Sequence, residues 1–263
     1  MSELPSYRTL LMERRGRVLQ IAFNRPGVLN AFGKVMHVEF IEALHFAASD
    51  PGSDVVVLTG AGRAFSAGGD LARMEECIAD PREFEREAAD AKRLIFALLD
   101  IEKPVVARVN GHAVGLGATI ALLCDVIFAA ETAKIGDPHV KVGLVAGDGG
   151  AIIWPQLLGF ARAKEYLMTG ELIPAPKAAE MGLVNHAVPD AELDARVEAF
   201  CRKLLDGSTM AIRWTKTTVN IELKRIAHAL MDPGIAYESL TQRSEDHRNA
   251  VKAMKDRIAG RRA

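Results

Sequence analysis

A histidine and an aspartate stand nine residues apart, His139 and Asp148, within the apolar, glycine-rich stretch Pro138-His139-Val140-Lys141-Val142-Gly143-Leu144-Val145-Ala146-Gly147-Asp148-Gly149-Gly150. Imidazole titrates near neutral pH. A carboxylate bonded to its far nitrogen fixes the tautomer and raises the ring's basicity, so such a pair can take a proton from water. The same residues also suit a purely structural role, in which the loop simply satisfies its histidine. What else converges on them decides between the two readings.

Two glycine-rich turns could supply the electrophilic half of such chemistry. Ala64-Phe65-Ser66-Ala67-Gly68-Gly69-Asp70-Leu71 and Asn110-Gly111-His112-Ala113-Val114-Gly115-Leu116-Gly117-Ala118 each follow a strand pattern and open a helical one. Glycine lets backbone approach a ligand closely, and the free N–H groups of a helix start favour an anion. Two such turns can point two donors at one oxygen, as a thioester enolate or a tetrahedral intermediate requires. Tight packing turns would use the same residues. Neither turn has the Lys-Ser/Thr ending of a phosphate loop or dinucleotide spacing with a ribose-binding acid. Asp70 reads as the cap of a helix starting at Leu71, Asp125 as a helix end, and Asp137 as a turn residue able to face a pocket. Trp154 suits the core or an acyl-pocket wall, and His112 is a weaker catalytic candidate.

The elements that position these loops alternate. Residues 7 to 23 predict a hairpin turning at Arg15-Gly16-Arg17, residues 34 to 48 a helix, and Asp54 to Thr59 a buried strand. Val105 to Val109, Leu116 to Leu123 and Val126 to Ala129 repeat strand, helix, strand, so the fold class is α/β. Beyond about residue 152 helices dominate: 154 to 158, 161 to 168, 175 to 181, 192 to 205, 208 to 226 and 231 to 259. Gly182 to Pro189 is a short edge-like strand. The segment from Met74 to Arg93, expected to line the pocket, is too variable in residue type to decode.

Composition bounds the partners. A net charge of -1 over 263 residues with mixed signs excludes the basic face that nucleic acid or an anionic membrane would need. Three separated cysteines, Cys77, Cys124 and Cys201, suggest neither a disulfide framework nor a metal cluster. With no signal-peptide core at the N-terminus and no apolar run long enough to span a membrane, a cytoplasmic location is expected.

Taken in order, Asn24-Arg25-Pro26, Leu29-Asn30-Ala31, Phe65-Ser66-Ala67-Gly68-Gly69-Asp70, Pro104-Val105-Val106-Ala107, Asn110-Gly111-His112-Ala113-Val114-Gly115-Leu116-Gly117 and Gly182-Leu183-Val184 closely resemble the enoyl-CoA hydratase/isomerase (crotonase) superfamily. The resemblance covers nearly the whole chain. It implies a crotonase-like spiral of ββα repeats over residues 1–190, a helical trimerisation region over 191–263, and a homotrimer or dimer of trimers. It implies an acyl-CoA substrate, with CoA entering as part of that substrate and neither cofactor nor metal required. The backbone N–H groups of Gly69 and Leu116 would hold the thioester oxygen. Ala67, Gly69, Asp70, Leu71 and Ala72 would line the CoA path, Arg25 and Val28 its nucleotide end, and Thr119 the substrate side of the second loop.

The chain departs from the family where hydratases place two glutamates. Thr119 and His139 occupy those positions, and a threonine hydroxyl does not titrate near neutral pH. Pro138-His139 with Gly147-Asp148-Gly149 is similar to the superfamily's carbon–carbon hydrolases, the 6-oxocamphor hydrolase group, whereas Gly115-Leu116-Gly117 keeps the thioester-type oxyanion loop. The expected function is therefore addition of water to an unsaturated acyl-CoA, with His139 oriented by Asp148 as the base. Hydrolytic cleavage of a β-dicarbonyl or β-oxoacyl-CoA compound is the alternative, followed by a non-catalytic acyl-CoA-binding protein. No residue in the sequence stands out as the proton donor.

Overall fold

The computed structural model describes residues 3–260, so residues 1–2 and 261–263, the outer ends of the two expected regions, lie outside it. Strands β1 (Leu10–Arg15) and β2 (Val18–Phe23) form the expected antiparallel hairpin, turned by Gly16 at φ +59°. Helix α1 (Lys34–Ser49) then buries Met36, Phe40, Leu44 and Ala47, and returns the chain so that β3 (Val55–Gly60) joins β2 in parallel. All of β3 is buried. An unbroken valine run with no polar alternation can satisfy itself only in a sheet covered on both faces.

From β3 onward the chain repeats one unit. Strand β3 is followed by β4 (Ala64–Ser66) and helices α2 (Leu71–Ala79) and α3 (Pro81–Asp100). Strand β5 (Val105–Val109) is followed by β6 (His112–Val114) and α4 (Leu116–Leu122), and β7 (Val126–Ala130) by β8 (Lys134–Gly136) and α5 (Gly150–Thr169). Short strands β9 (Ile173–Pro174) and β10 (His186–Val188) flank α6 (Ala175–Glu180). The first strand of each unit enters a six-stranded sheet, β1-β2-β3-β5-β7-β10, and the second a four-stranded sheet, β4-β6-β8-β9. This is the α/β spiral of ββα units that the sequence predicts. The connections at the end of the second sheet bring the two glycine loops and the His139 loop together.

Two stretches differ from the sequence reading. The undeciphered Met74 to Arg93 region is helical, and its start signals are aspartates: Asp70 accepts the Ala72 N–H at 3.0 Å and Asp80 the Arg82 N–H at 3.1 Å. Pro81 occupies the first turn of α3. After α7 (Leu193–Leu205), a single helix α8 (Thr209–Gln242) runs through residues 227–230, where a gap is expected. Ala227 and Met231 are fully buried there, so core packing holds that turn, and Pro233 is accommodated inside the helix. The break falls at Arg243 and Ser244 instead. The Ser244 hydroxyl accepts the His247 N–H at 3.1 Å and so caps α9 (Glu245–Gly260).

Candidate active site

The first oxyanion loop is held by an unusual backbone. Leu29 and Asn30 both adopt left-handed conformations, at φ 55° and 57°, which asparagine tolerates better than most residues. The Asn30 side chain accepts the Arg25 N–H at 2.8 Å and donates to the carbonyls of Ala61 at 2.9 Å and Ala64 at 2.8 Å. The Ser66 hydroxyl donates back to the Asn30 carbonyl at 2.8 Å. Phe32 then donates its N–H to Gly68 O at 2.7 Å and accepts that of Asp70 at 3.0 Å, so Gly69 N–H is left over between two engaged neighbours.

The second loop meets the first directly. Gly68 has φ +83°, and a Cβ there would lie 2.6 Å from Val114 O, so only glycine allows this approach. Gly115 donates to Gly136 O at 2.9 Å and accepts from Thr119 N–H at 3.0 Å, which leaves Leu116 N–H at the open first turn of α4. Among the described residues neither Gly69 N–H nor Leu116 N–H has a partner. Gly69, Leu116, His139 and Asp148 all line one cavity of about 80 Å³.

His139 sits between two carboxylates. Its Nδ1 bonds Asp137 Oδ1, and its Nε2 lies 3.4 Å from Asp148 Oδ2. The turn at Pro138 folds Asp137 back so that it also accepts the His139 N–H at 3.3 Å. Asp137 thus holds the Nδ1 side of the ring, and Asp148, expected to orient it, lies on the Nε2 side. Burial alone would lower the imidazole pKa, but the two carboxylates outweigh it and hold the ring well above the ordinary histidine range. Burial would raise Asp148, and its ionic bond to His139 prevails and lowers it.

Ligand atoms of Asp137, His139 and Asp148 lie within 4.8 Å of one another.

Sequence reading missed Glu238, which lines the same cavity from α8 and is 7% exposed. Burial and the nearby negative charge of Asp148 push its carboxyl up to about 8. A signal was present: Ala227, Met231, Glu238 and Gln242 form the buried stripe of α8, so two polar residues fall on an otherwise apolar face. His37 and His247 also line the cavity.

Other expected contacts are distributed differently. Arg25, Asp70 and Ala72 border an adjoining open cleft of about 310 Å³, where Arg25 Nη2 pairs with Asp70 Oδ2 at 2.8 Å. Val28 is exposed on the turn beside it, and Ala67 and Leu71 are partly buried and border neither space. Thr119, expected on the substrate side, is fully buried and does not line the cavity; among the described residues its hydroxyl has no partner, and its methyl group lies against Gly149. His112 is exposed and accepts the Lys134 N–H at 3.2 Å, away from the cavity. Trp154 is fully buried in the core.

A spiral of ββα units whose two glycine loops leave adjacent backbone N–H groups free beside titratable side chains is the architecture of enzymes that stabilise an oxyanion or enolate. The family model for enoyl-CoA hydratase/isomerase matches residues 13–258, and the chain belongs to that family as a hydratase-like enzyme. It is 36% identical over 217 residues to the crotonyl-CoA hydratase of Syntrophomonas wolfei subsp. wolfei, covering 82% of each chain. The crystal structure of an enoyl-CoA hydratase/isomerase from Mycobacterium paratuberculosis is similar at 38% identity and a TM-score of 0.89, covering 93% of this chain and 98% of that one. A beta-diketone hydrolase from the cyanobacterium Anabaena sp. PCC 7120, bound to (S)-3-oxocyclohexyl acetic acid, is similar at 32% identity and a TM-score of 0.84, covering 90% and 95%.

Proposed function

We propose that the protein adds water across the double bond of a 2-enoyl-CoA thioester. The observation that carries this reading is the presence of two unpartnered N–H groups and a histidine flanked by carboxylates in one cavity. Gly69 and Leu116 hold the thioester oxygen. His139, once its Nε2 proton has left, takes a proton from water held on its Asp148 side, while Asp137 keeps the ring in place. The water oxygen bonds Cβ, the π electrons move toward Cα and the thioester oxygen, and the neutral Glu238 carboxyl protonates Cα. The proton on His139 returns to Glu238 through solvent, which closes the cycle without a cofactor beyond the CoA of the substrate.

Incubation with a short 2-enoyl-CoA is expected to remove the conjugated thioester absorbance and form a 3-hydroxyacyl-CoA. Release of a carboxylic acid from a β-dicarbonyl compound, with no hydration of any enoyl-CoA, would transfer the assignment to the second reading, carbon–carbon hydrolysis. That reading is supported by Thr119, which leaves the second loop without an acid, and by the similarity to the beta-diketone hydrolase.

The assembly is proposed as a homotrimer or dimer of trimers formed through residues 191–263. Exposed Met210, Trp214, Val219, Ile221 and Leu240 on α8 support it, since large apolar side chains left open along one helix favour burial against another subunit. Sedimentation should give three or six chains, and a stable monomer overturns the proposal. Three free, buried cysteines support a reducing cytoplasm as the location, and among the described residues no helix is long and apolar enough to cross a membrane.

A further inference from the structure

The end of the cavity formed by the C-terminal helices holds a polar group that the reaction above does not use. Gln242, the last residue of α8, is 3% exposed and lines the cavity shared with His139 and Leu116. Among the described residues neither its Oε1 nor its Nε2 has a hydrogen-bond partner. A primary amide carries two donors and an acceptor oxygen, and burying it unmatched is costly unless something arriving in the cavity completes it.

A second polar side chain, His247, lines the same cavity. His247 Nδ1 lies 2.6 Å from the Val142 carbonyl, which can only accept, so Nδ1 carries the hydrogen. Burial holds the ring below the ordinary histidine range, so the imidazole is neutral and Nε2 is an acceptor. Ala91, Leu144 and Ile235 give the cavity an apolar wall, and Glu238, four residues before Gln242 on the same buried face of α8, lines it without a hydrogen bond to the Gln242 amide.

We propose that the cavity selects an acyl chain carrying an oxygen function away from the thioester, a hydroxyl or a ketone, which accepts a hydrogen bond from the Gln242 amide. Where that group is a hydroxyl, His247 Nε2 accepts its hydrogen. The proposal rests on the acyl-CoA reading above and names the substrate class within it. A plain alkyl chain of equal length leaves Gln242 unmatched, and sites built to hydrogen-bond a substrate oxygen discriminate strongly against analogues lacking it.

The test compares two 2-enoyl-CoA thioesters of equal chain length, one bearing a distal hydroxyl. The wild-type enzyme should favour the hydroxylated one by about tenfold or more in kcat/KM, and the near-isosteric Gln242→Met should bring that ratio close to one. A wild-type ratio of one or below, or a preference that survives Gln242→Met, overturns the proposal without any variant having to be read as a folding defect. Calorimetry with the saturated counterparts of both thioesters separates the two readings. Tighter binding of the hydroxylated thioester without hydration of either enoyl form refutes the hydratase assignment and keeps the selectivity. Hydration without preference does the reverse, and failure to bind either thioester overturns both.

Discussion

His139→Ala is expected to lower kcat for hydration by about 10² to 10⁴-fold, the usual contribution of a positioned acid–base group, while a CoA thioester still binds. The donors proposed to hold the thioester oxygen are the backbone N–H groups of Gly69 and Leu116, and the substitution leaves both in place. The lost group is the proton acceptor alone, so the effect belongs in kcat rather than in binding. The variant also strips a buried partner from Asp137 and Asp148, and breaking a buried ion pair costs about 3–5 kcal/mol. His139→Gln is the companion, because its amide can still donate to one carboxylate but cannot act as a base. Both variants should be inactive, with His139→Gln the more stable by thermal melting. Full turnover in either sinks the role of His139.

Glu238→Gln should lower kcat by about 10²-fold or more and change the shape of the pH profile. In the wild-type enzyme the base must be deprotonated and the acid protonated. The rate therefore rises as His139, held above its ordinary range, loses its proton, and falls as Glu238 ionises near pH 8. The two limbs belong to the coupled cluster, and either order of ionisation yields the same bell. Removing Glu238 should abolish the alkaline limb. Stability should move oppositely: the unfolded chain loses this proton near pH 4.5 and the folded chain near pH 8, so the folded state binds more protons in between. The contribution of Glu238 to stability thus declines as pH rises from about 4.5 to about 8 and is constant above, where a glutamine carries no such cost. Melting curves should show Glu238→Gln gaining on the wild type across that window. Unchanged kcat with the alkaline limb intact would remove Glu238 from the reaction.

The parts of this site that the sequence shows are those carried by local rules. Glycine spacing marks the loops of Gly69 and Leu116, and the alternation of apolar runs with helical stripes marks the core units. Asp70 behaves as the helix cap its position suggests. Partner choice was less visible, because His139 has an aspartate two residues before it and another nine residues after. The backbone turn at Pro138, not the spacing, assigns Asp137 to Nδ1. Glu238 and Gln242 lie about a hundred residues from His139, and only the path of α8 over the cavity brings them to it. The helix break falls at Arg243 and Ser244 and not at residues 227–230, because the buried Ala227 and Met231 carry α8 through that turn.

The capped break at Ser244 has a broader meaning. Gly69, Leu116, His139 and Asp148 reach the cavity from the spiral, whereas Glu238, Gln242 and His247 reach it from helices on either side of that break. The pocket is thus assembled from two parts of the chain that lie far apart in sequence. A side-chain change at Gln242 or His247 would therefore reshape the part of the cavity lined from α8 and α9 and leave the backbone N–H groups of Gly69 and Leu116 in place, as long as Glu238 on the same α8 face keeps its carboxyl.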